Sequence, residues 1–378
     1  MRIDFAQIPT PCYVCEEAAL ERNLTVLERV QREAGCRIIV ALKGYALWAT
    51  FPRLRRVLHG AAASSLHEAR LGHEEMGGEL HVCAPAYRDD EFDAILSYAT
   101  HIVFNSFSQW ARFRNRVRDA QRAVACGIRV NPRHSEAATP LYDPCAPSSR
   151  LGVTLPEFKE SELDGISGLH VHALCENEAD AFERMLAAFE AQFGKYLDRM
   201  AWVNFGGGQL ITRQGYEIDR LVRLIRTFRA RYGLDVILEP GEAVGWNVGP
   251  LVASVLDIVR NEREIAILDS SAATHMPDCL EMPYRPDITG ADRAGVLPHT
   301  YRLAGCSCLA GDVIGDYSFP EPLRPGAKLA FENMIHYTMV KSTTFNGLNL
   351  PAIALWTTGN RLRILRRFGY EDYKGRLS

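Results

Sequence analysis

The stretch Arg37-Ile-Ile-Val-Ala-Leu42, closed by Lys43-Gly44-Tyr45, decides the fold. It is a short, β-branched apolar run with helical periodicity on both sides, over Glu17–Ala34 before it and Phe51–Leu58 after it. An unbroken apolar run of this length reads as a strand buried on both faces. The pattern repeats outward from it. Ala61–Ser64, His81–Ala84, His101–Asn105, Ala125–Val130, Gly168–His172, Ala201–Phe205 and Asp235–Glu239 are further short apolar segments. Amphipathic stretches such as Leu66–Met76, Glu178–Arg199 and Tyr216–Tyr232 lie between them. Buried strands alternating with helices are parallel βα units. About eight such units predict a (β/α)8, TIM-like barrel over residues 17–245. An open doubly wound sheet is the alternative, weakened because no G-x-G-x-x-G follows the first strand.

After residue 246 helical periodicity becomes scarce. Val248–Val259, Ile265–Asp269, Tyr301–Ala304, Lys328–Glu332 and Ala352–Thr357 read as strands joined by Gly/Pro turns. A mostly-β domain over 246–378 follows, with the alternating Pro11–Glu16 in residues 1–16 as a segment able to pair with it. The fold class is thus α/β plus β.

Composition narrows the function. The chain has 378 residues, 47% of them hydrophobic, enough for two domains with real cores. The formal charge is −3, from 43 basic and 46 acidic side chains. The Arg-rich stretches 53–56 and 112–122 interleave with apolar positions and read as solvated helix faces, so no nucleic-acid partner is expected. The N-terminus has no apolar signal core, and no stretch approaches the roughly 18 apolar residues of a membrane span. The ten cysteines do not space like a disulfide framework, and Cys12-x-x-Cys15 lies in a strand-like run rather than at a helix start. A reduced, cytoplasmic protein with no membrane contact is expected.

In a parallel barrel, working groups stand where strands end. Lys43 ends the first apolar run; partial desolvation there lowers an amine's pKa and suits Schiff-base formation, although a snorkelling lysine reads the same way. His170-Val171-His172 ends another strand, and residues i and i+2 share a face. No further ligand has matching spacing, so no metal is expected, and a ring stacked on a planar cofactor or a structural histidine are the remaining readings. Gly206-Gly207-Gly208 follows the run Ala201–Phe205 and can offer backbone N–H groups to an anion, or simply turn. Glu239-Pro240-Gly241 ends the last strand, and its carboxylate can pair with a pyridinium nitrogen or sit in a structural ion pair. Cys306-x-Cys308 is too short for zinc; a thiol there can protonate a carbanion or pack as a small core residue.

The order of these residues resembles the fold type III, alanine-racemase-like pyridoxal phosphate decarboxylases. It is most similar to the carboxynorspermidine/carboxyspermidine decarboxylase branch. The strings that carry the resemblance are A-L-K-G-Y (41–45), G-L-H-V-H-A-L-C-E (168–176), N-F-G-G-G-Q (204–209) and L-E-P-G-E-A (238–243). They continue with D-S-S-A-A-T-H-M-P-D (269–278), C-L-A-G-D-V-I-G-D-Y (308–317) and H-Y-T-M-V-K-S-T-T-F-N-G (336–347), and so span nearly the whole chain. The resemblance implies pyridoxal 5'-phosphate held by Lys43, stacked on His172, bound at its phosphate by Gly206, Gly207, Gly208 and Tyr337, and paired at its ring nitrogen with Glu239. Cys308 would return a proton after CO2 leaves, reaching largely into the other subunit's site, so a homodimer with shared active sites is implied. Asp269 and a loop over 308–317 would lie near the substrate.

Three departures matter. Ornithine-type relatives carry an arginine after E-P-G, where this chain has Glu242. The residue after the cysteine is acidic in relatives and is Leu309 here. Ala173-Leu174-Cys175 replace the usual glycine and serine. A carboxylated polyamine carries amines beyond its reacting end and calls for carboxylates. Glu242, Asp269, Asp278 and Asp312 are the expected substrate contacts, with Glu176, Glu281 and Asp316 as further candidates. The rival readings are a diaminopimelate, ornithine or arginine decarboxylase, a racemase on the same fold, and a non-catalytic decarboxylase-like regulator.

Overall fold

The computed structural model describes residues 3–378. The chain divides into two compact units. One is Asn23–Val244; the other joins the segment up to Arg22 with Gly245–Ser378. The first strand, β1 (Cys12–Glu16), belongs to the second unit.

The Asn23–Val244 unit is a closed barrel of eight parallel strands. In chain order these are β2 (Arg37–Ala41), β3 (Gly60–Ala63), β4 (Glu79–Cys83), β5 (His101–Phe104), β6 (Ala125–Val130), β7 (Gly168–Val171), β8 (Trp202–Asn204) and β9 (Asp235–Leu238). The ring closes through β2 on β9, with Arg37 opposite Ile237 and Ile38 opposite Leu238. The barrel reading of the sequence therefore holds, and the open-sheet alternative does not.

A barrel of this size is filled by side chains. Ile39, Val103, Trp202 and Ile237, from strands on opposite sides of the ring, form one buried cluster. Trp202 is wide for such a layer, and the flanking strands make room for it. Gly127, Gly168 and Trp202 stand side by side in the β6–β7–β8 register. A Cβ at Gly168 would lie 2.1 Å from the indole, and one at Gly127 would lie 2.5 Å from it. The indole Nε1 donates to Ser167 Oγ at 3.2 Å, so the ring is seated by a hydrogen bond as well as by shape.

The second unit is built on a nine-stranded sheet. Its remaining strands are β10 (Leu251–Asn261), β11 (Arg263–Leu268), β12 (Asp292–Arg293), β13 (His299–Ala304), β14 (Val313–Phe319), β15 (Lys328–Phe331), β16 (Ala352–Trp356) and β17 (Leu362–Arg366). The main path runs β12-β14-β13-β11-β10-β1-β16-β17, with β15 paired to β10. The N-terminal strand lies inside the sheet, antiparallel to β10 and parallel to β16. Ile8, Cys12, Val14, Val252, Ala330, Ala354 and Trp356 form its core.

The segment 308–317, expected as a loop, is half strand. β14 begins at Val313 and pairs with β13 and β12. Gly315 and Asp316 interrupt its apolar pattern, but Asp316 accepts from Arg302 Nε at 2.8 Å on the adjacent β13 and from Arg263 Nη1 at 3.0 Å on β11, the next strand beyond it. Those cross-strand ion pairs account for an acidic residue in the ladder and occupy its carboxylate.

The shape argument at Trp202 has a direct test. Gly168→Ala should cost about 1–3 kcal/mol of unfolding free energy through overpacking, and Trp202→Phe in the same chain should recover part of it. Urea unfolding of the single and double variants measures this; an undiminished midpoint for Gly168→Ala would contradict it.

Candidate active site

The residues that follow β2, β7, β8 and β9 converge at one end of the barrel. Lys43 stands in the turn after β2, which Gly44 and Tyr45 close by donating to Ala41 O at 3.0 Å. Its side chain reaches solvent in a recess that protein crowds closely. That crowding, and then the nearby Arg129 charge, lowers the amine below the usual lysine range, with Glu239 acting in the opposite sense. Gly44 packs against the turn after β9: a Cβ there would lie 2.9 Å from Gly241 Cα.

The three glycines after β8 are required by close approaches. Gly206 has φ +63° and lies against His172; a Cβ would come within 2.7 Å of that residue's Cβ and Nδ1. A Cβ on Gly207 would lie 2.3 Å from Glu239 O, and one on Gly208, at φ +93°, would lie 2.1 Å from Leu174 O. The loop is therefore a bare backbone cradle rather than a slack turn. His172 follows β7; burial and then Lys43 hold its imidazole well below the ordinary range, so the ring is neutral. Its Nδ1 is buried with no hydrogen-bond partner among the described residues.

Glu239, just after β9, is the electrostatic centre. Burial alone would raise its carboxyl; the His170 ring outweighs this, with His81 and Asn204 helping, and holds it at about 2. His170 Nε2 lies 3.4 Å from one carboxylate oxygen, and Asn204 Nδ2 donates to the other at 2.6 Å. Cys83, Arg129 and Glu68 complete the surroundings of Lys43.

These groups fit pyridoxal phosphate. The glycine cradle suits a phosphate, an ionised carboxylate suits a protonated pyridine nitrogen, a neutral imidazole suits a planar ring, and a lowered amine suits a carbonyl. Lys43, His172, Gly206–Gly208 and Glu239 would hold it.

Arg129, His170 as the partner of Glu239, and Asn204 were not picked out as site residues from sequence. Arg129 and Asn204 carried a local signal: an arginine inside the apolar run of β6, and an amide placed directly before F-G-G-G. Elsewhere in the barrel Glu79, His81 and His101 bring ligand atoms within 4.8 Å of one another. These atoms already have other company: Arg37 pairs with Glu79, and Asn204 faces His81.

The remaining expected residues, Glu242 apart, belong to the sheet unit. Asp312 is buried, and its oxygens accept from Ser271 Oγ at 2.7 Å, Ala272 N at 2.8 Å and Ser307 Oγ at 2.6 Å. It thereby ties the 269–273 segment to the turn that carries Cys308. Asp269 accepts from Ser254 N at 2.8 Å, and burial raises its carboxyl. Asp278 accepts from Lys341 Nζ at 2.5 Å, and the same amine pairs with Glu281. Cys308 is exposed, and its backbone N–H donates to Asn346 Oδ1 at 2.6 Å. Tyr337 opens the short helix Tyr337–Val340. Glu242 opens another, Glu242–Gly245, in the chain segment after Gly241.

A closed parallel barrel with this mouth, joined in one chain to a sheet unit, defines the alanine-racemase-like class of pyridoxal phosphate enzymes. Residues 12–335 match the family described as pyridoxal-dependent decarboxylase, C-terminal sheet domain. A carboxyaminopropylagmatine decarboxylase of Synechocystis sp. is 47% identical over 374 residues, covering 98% of this chain and 96% of that protein. A carboxynorspermidine/carboxyspermidine decarboxylase of Campylobacter jejuni is 43% identical over 380 residues, with 98% of each chain covered. The crystal structure of carboxynorspermidine decarboxylase from Campylobacter jejuni complexed with norspermidine superposes with a TM-score of 0.90 at 42% identity, over 98% of this chain and 100% of that one. The chain belongs to the pyridoxal-dependent decarboxylases and is a carboxy-lyase that works with pyridoxal 5'-phosphate.

Acid should weaken the barrel in a defined direction. Burial, and then His81, pushes the His101 imidazole from 6.5 down to about 3, and Glu239 lies at about 2 instead of 4.5. Both folded values are depressed, so the unfolded chain binds these protons first. The stability they contribute is complete above the unfolded values and is lost as pH falls, from 6.5 toward 3 for His101 and from 4.5 toward 2 for Glu239. Urea midpoints measured from pH 7.5 to 5 should fall, and His101→Gln should lessen the slope; a flat profile would contradict this.

Proposed function

We propose that the enzyme decarboxylates a carboxylated polyamine, carboxynorspermidine or carboxyspermidine, to norspermidine or spermidine in polyamine biosynthesis. The observation that carries this is the near-complete match to a chain solved with norspermidine. Glu242 supports it, since it places a carboxylate where ornithine-type enzymes carry an arginine. A substrate with free amines beyond its reacting end favours such a change. Glu242 is the carboxylate we assign to those amines; Asp278 is already paired with Lys341. Asp312 acts through the loop it anchors.

Pyridoxal phosphate, when bound, supplies the sink for the electron pair left at Cα as the carboxylate departs as CO2. The protein's own groups do the rest. Lys43, its amine lowered by the crowding around it, is a more available nucleophile than an ordinary lysine and holds the cofactor between turnovers. Glu239, kept ionised, retains a proton on the ring nitrogen. His172 supports one ring face, and the Gly206–Gly208 backbone binds the phosphate. Cys308 gives its thiol proton to the carbon that lost CO2 and recovers a proton from solvent, so one proton is consumed per CO2 released.

A second reading is favoured by the 47%-identical relative, whose name specifies an agmatine-derived, guanidinium-bearing substrate. Purified enzyme given carboxynorspermidine, carboxyspermidine, carboxyaminopropylagmatine, ornithine and diaminopimelate in parallel, with CO2 release measured, separates these. We expect kcat/KM for a carboxy-triamine to exceed that for ornithine or diaminopimelate at least about tenfold, a difference of about 1.4 kcal/mol. Preference for the agmatine compound would select the second reading, and turnover of ornithine or diaminopimelate alone would overturn both.

We further propose a cytoplasmic homodimer in which Cys308 of each protomer serves the other's Lys43. All ten cysteines are free, as suits a reducing compartment. Among the described residues no helix is long and apolar enough to cross a membrane. Lys43→Ala and Cys308→Ala should each be inactive. Mixed and allowed to exchange in equal amounts, they should regain about a quarter of wild-type activity, because half the dimers are mixed and each carries one intact site. No regain on demonstrated exchange would contradict a shared site.

A further inference from the structure

We infer that Glu79, His81 and Asn204 form a positioning chain that holds Glu239 in place for the cofactor's ring nitrogen. The inference rests on the assignment of Glu239 given above. β4 and β8 lie on opposite sides of the eight-strand ring, four strands apart in its order. Their interior side chains meet across it.

The direction of the chain follows from one backbone group. Gly206 N–H donates to Asn204 Oδ1 at 2.8 Å. That bond fixes which end of the amide is oxygen, so both Asn204 N–H groups point the other way. One donates to Glu239 Oε1 at 2.6 Å. The other faces His81 Nδ1 at 3.5 Å. His81 Nδ1 is then the acceptor, and the ring proton sits on Nε2. Nε2 faces Glu79 Oε2 at 3.2 Å. Glu79 is in turn paired with Arg37. His101 stacks on the His81 ring with centroids 3.8 Å apart and planes 17° apart, and Trp202 lies edge-on beside both rings, 5.4 Å from His101 and 6.2 Å from His81. The ring plane of His81 is therefore set by packing, and its tautomer by Glu79.

Asn204 consequently couples three things: the first glycine of the cradle, the carboxylate meant for the ring nitrogen, and the Glu79–His81 pair. Removing His81 leaves a buried N–H of Asn204 without its partner and frees the amide to turn away from Glu239. A polar pair deep in a barrel could be packing alone. In that case its loss would lower stability and leave the ring nitrogen unaffected.

The experiment uses two states of the full-length protein. In the cofactor-free protein, 15N shifts of the histidine rings, with His81 identified by its loss in His81→Gln, should show its proton on Nε2. In the holoenzyme loaded with 15N-labelled pyridoxal phosphate, His81→Leu should move the ring-nitrogen shift away from the protonated value. It should also lower kcat about tenfold with KM unchanged within about twofold, the scale of one charge-assisted hydrogen bond. His81→Gln, which can accept from Asn204 and donate to Glu79, should restore kcat to within about threefold of wild type. A His81 proton on Nδ1 would overturn the inference, and this holds even if His81→Leu does not fold. So would a folded His81→Leu with unaltered ring-nitrogen shift and kcat. Glu239→Gln is the reference: if it too leaves the ring-nitrogen shift unaltered, the assignment of Glu239 itself fails, a result distinct from failure of the chain behind it.

Discussion

Burying a carboxylate as an anion costs several kcal/mol unless donors are fixed around it, and the barrel meets that condition at Glu239. His170 from β7 and Asn204 from β8 supply the donors, and neither comes from the strand that carries the acid. The arrangement exists only when β7, β8 and β9 are paired in register. A one-residue slip would turn these side chains to the other face. The setting of Glu239 therefore depends on closure of the barrel, and closure depends on layers such as the one in which two glycines admit Trp202.

The same dependence explains the glycine cradle. Gly206, Gly207 and Gly208 each lie where a Cβ would strike His172, Glu239 O or Leu174 O. The loop thus touches His172, the strand end that carries Glu239, and the segment after His172. The glycine cradle, His172 and Glu239 are parts of one packed unit, and a change at any of them is expected to be felt at the others.

Much of this could be read from the residues. The apolar run 37–42 and its repeats gave the barrel, because a strand buried on both faces leaves a continuous local pattern. That Lys43, Gly206–Gly208 and Glu239 come together was legible because the ends of parallel barrel strands share one mouth. Asn204, Arg129 and His81 were missed because their roles come from partners far away in sequence; His81 and Asn204 are 123 residues apart. β14 was read as loop because Gly315 and Asp316 break its alternation, and the arginines that support Asp316 lie on other strands. The spent oxygens of Asp312 were equally hidden: an aspartate that anchors a turn and one that meets a substrate look alike in sequence.

The most direct test of the central claim is a crystal structure of the protein loaded with pyridoxal phosphate. It should place a Glu239 oxygen about 2.7–2.9 Å from the ring nitrogen, Lys43 Nζ bonded to the cofactor, and the phosphate on the backbone of Gly206–Gly208. A ring nitrogen facing some other group, or a phosphate seated away from those three glycines, would contradict it.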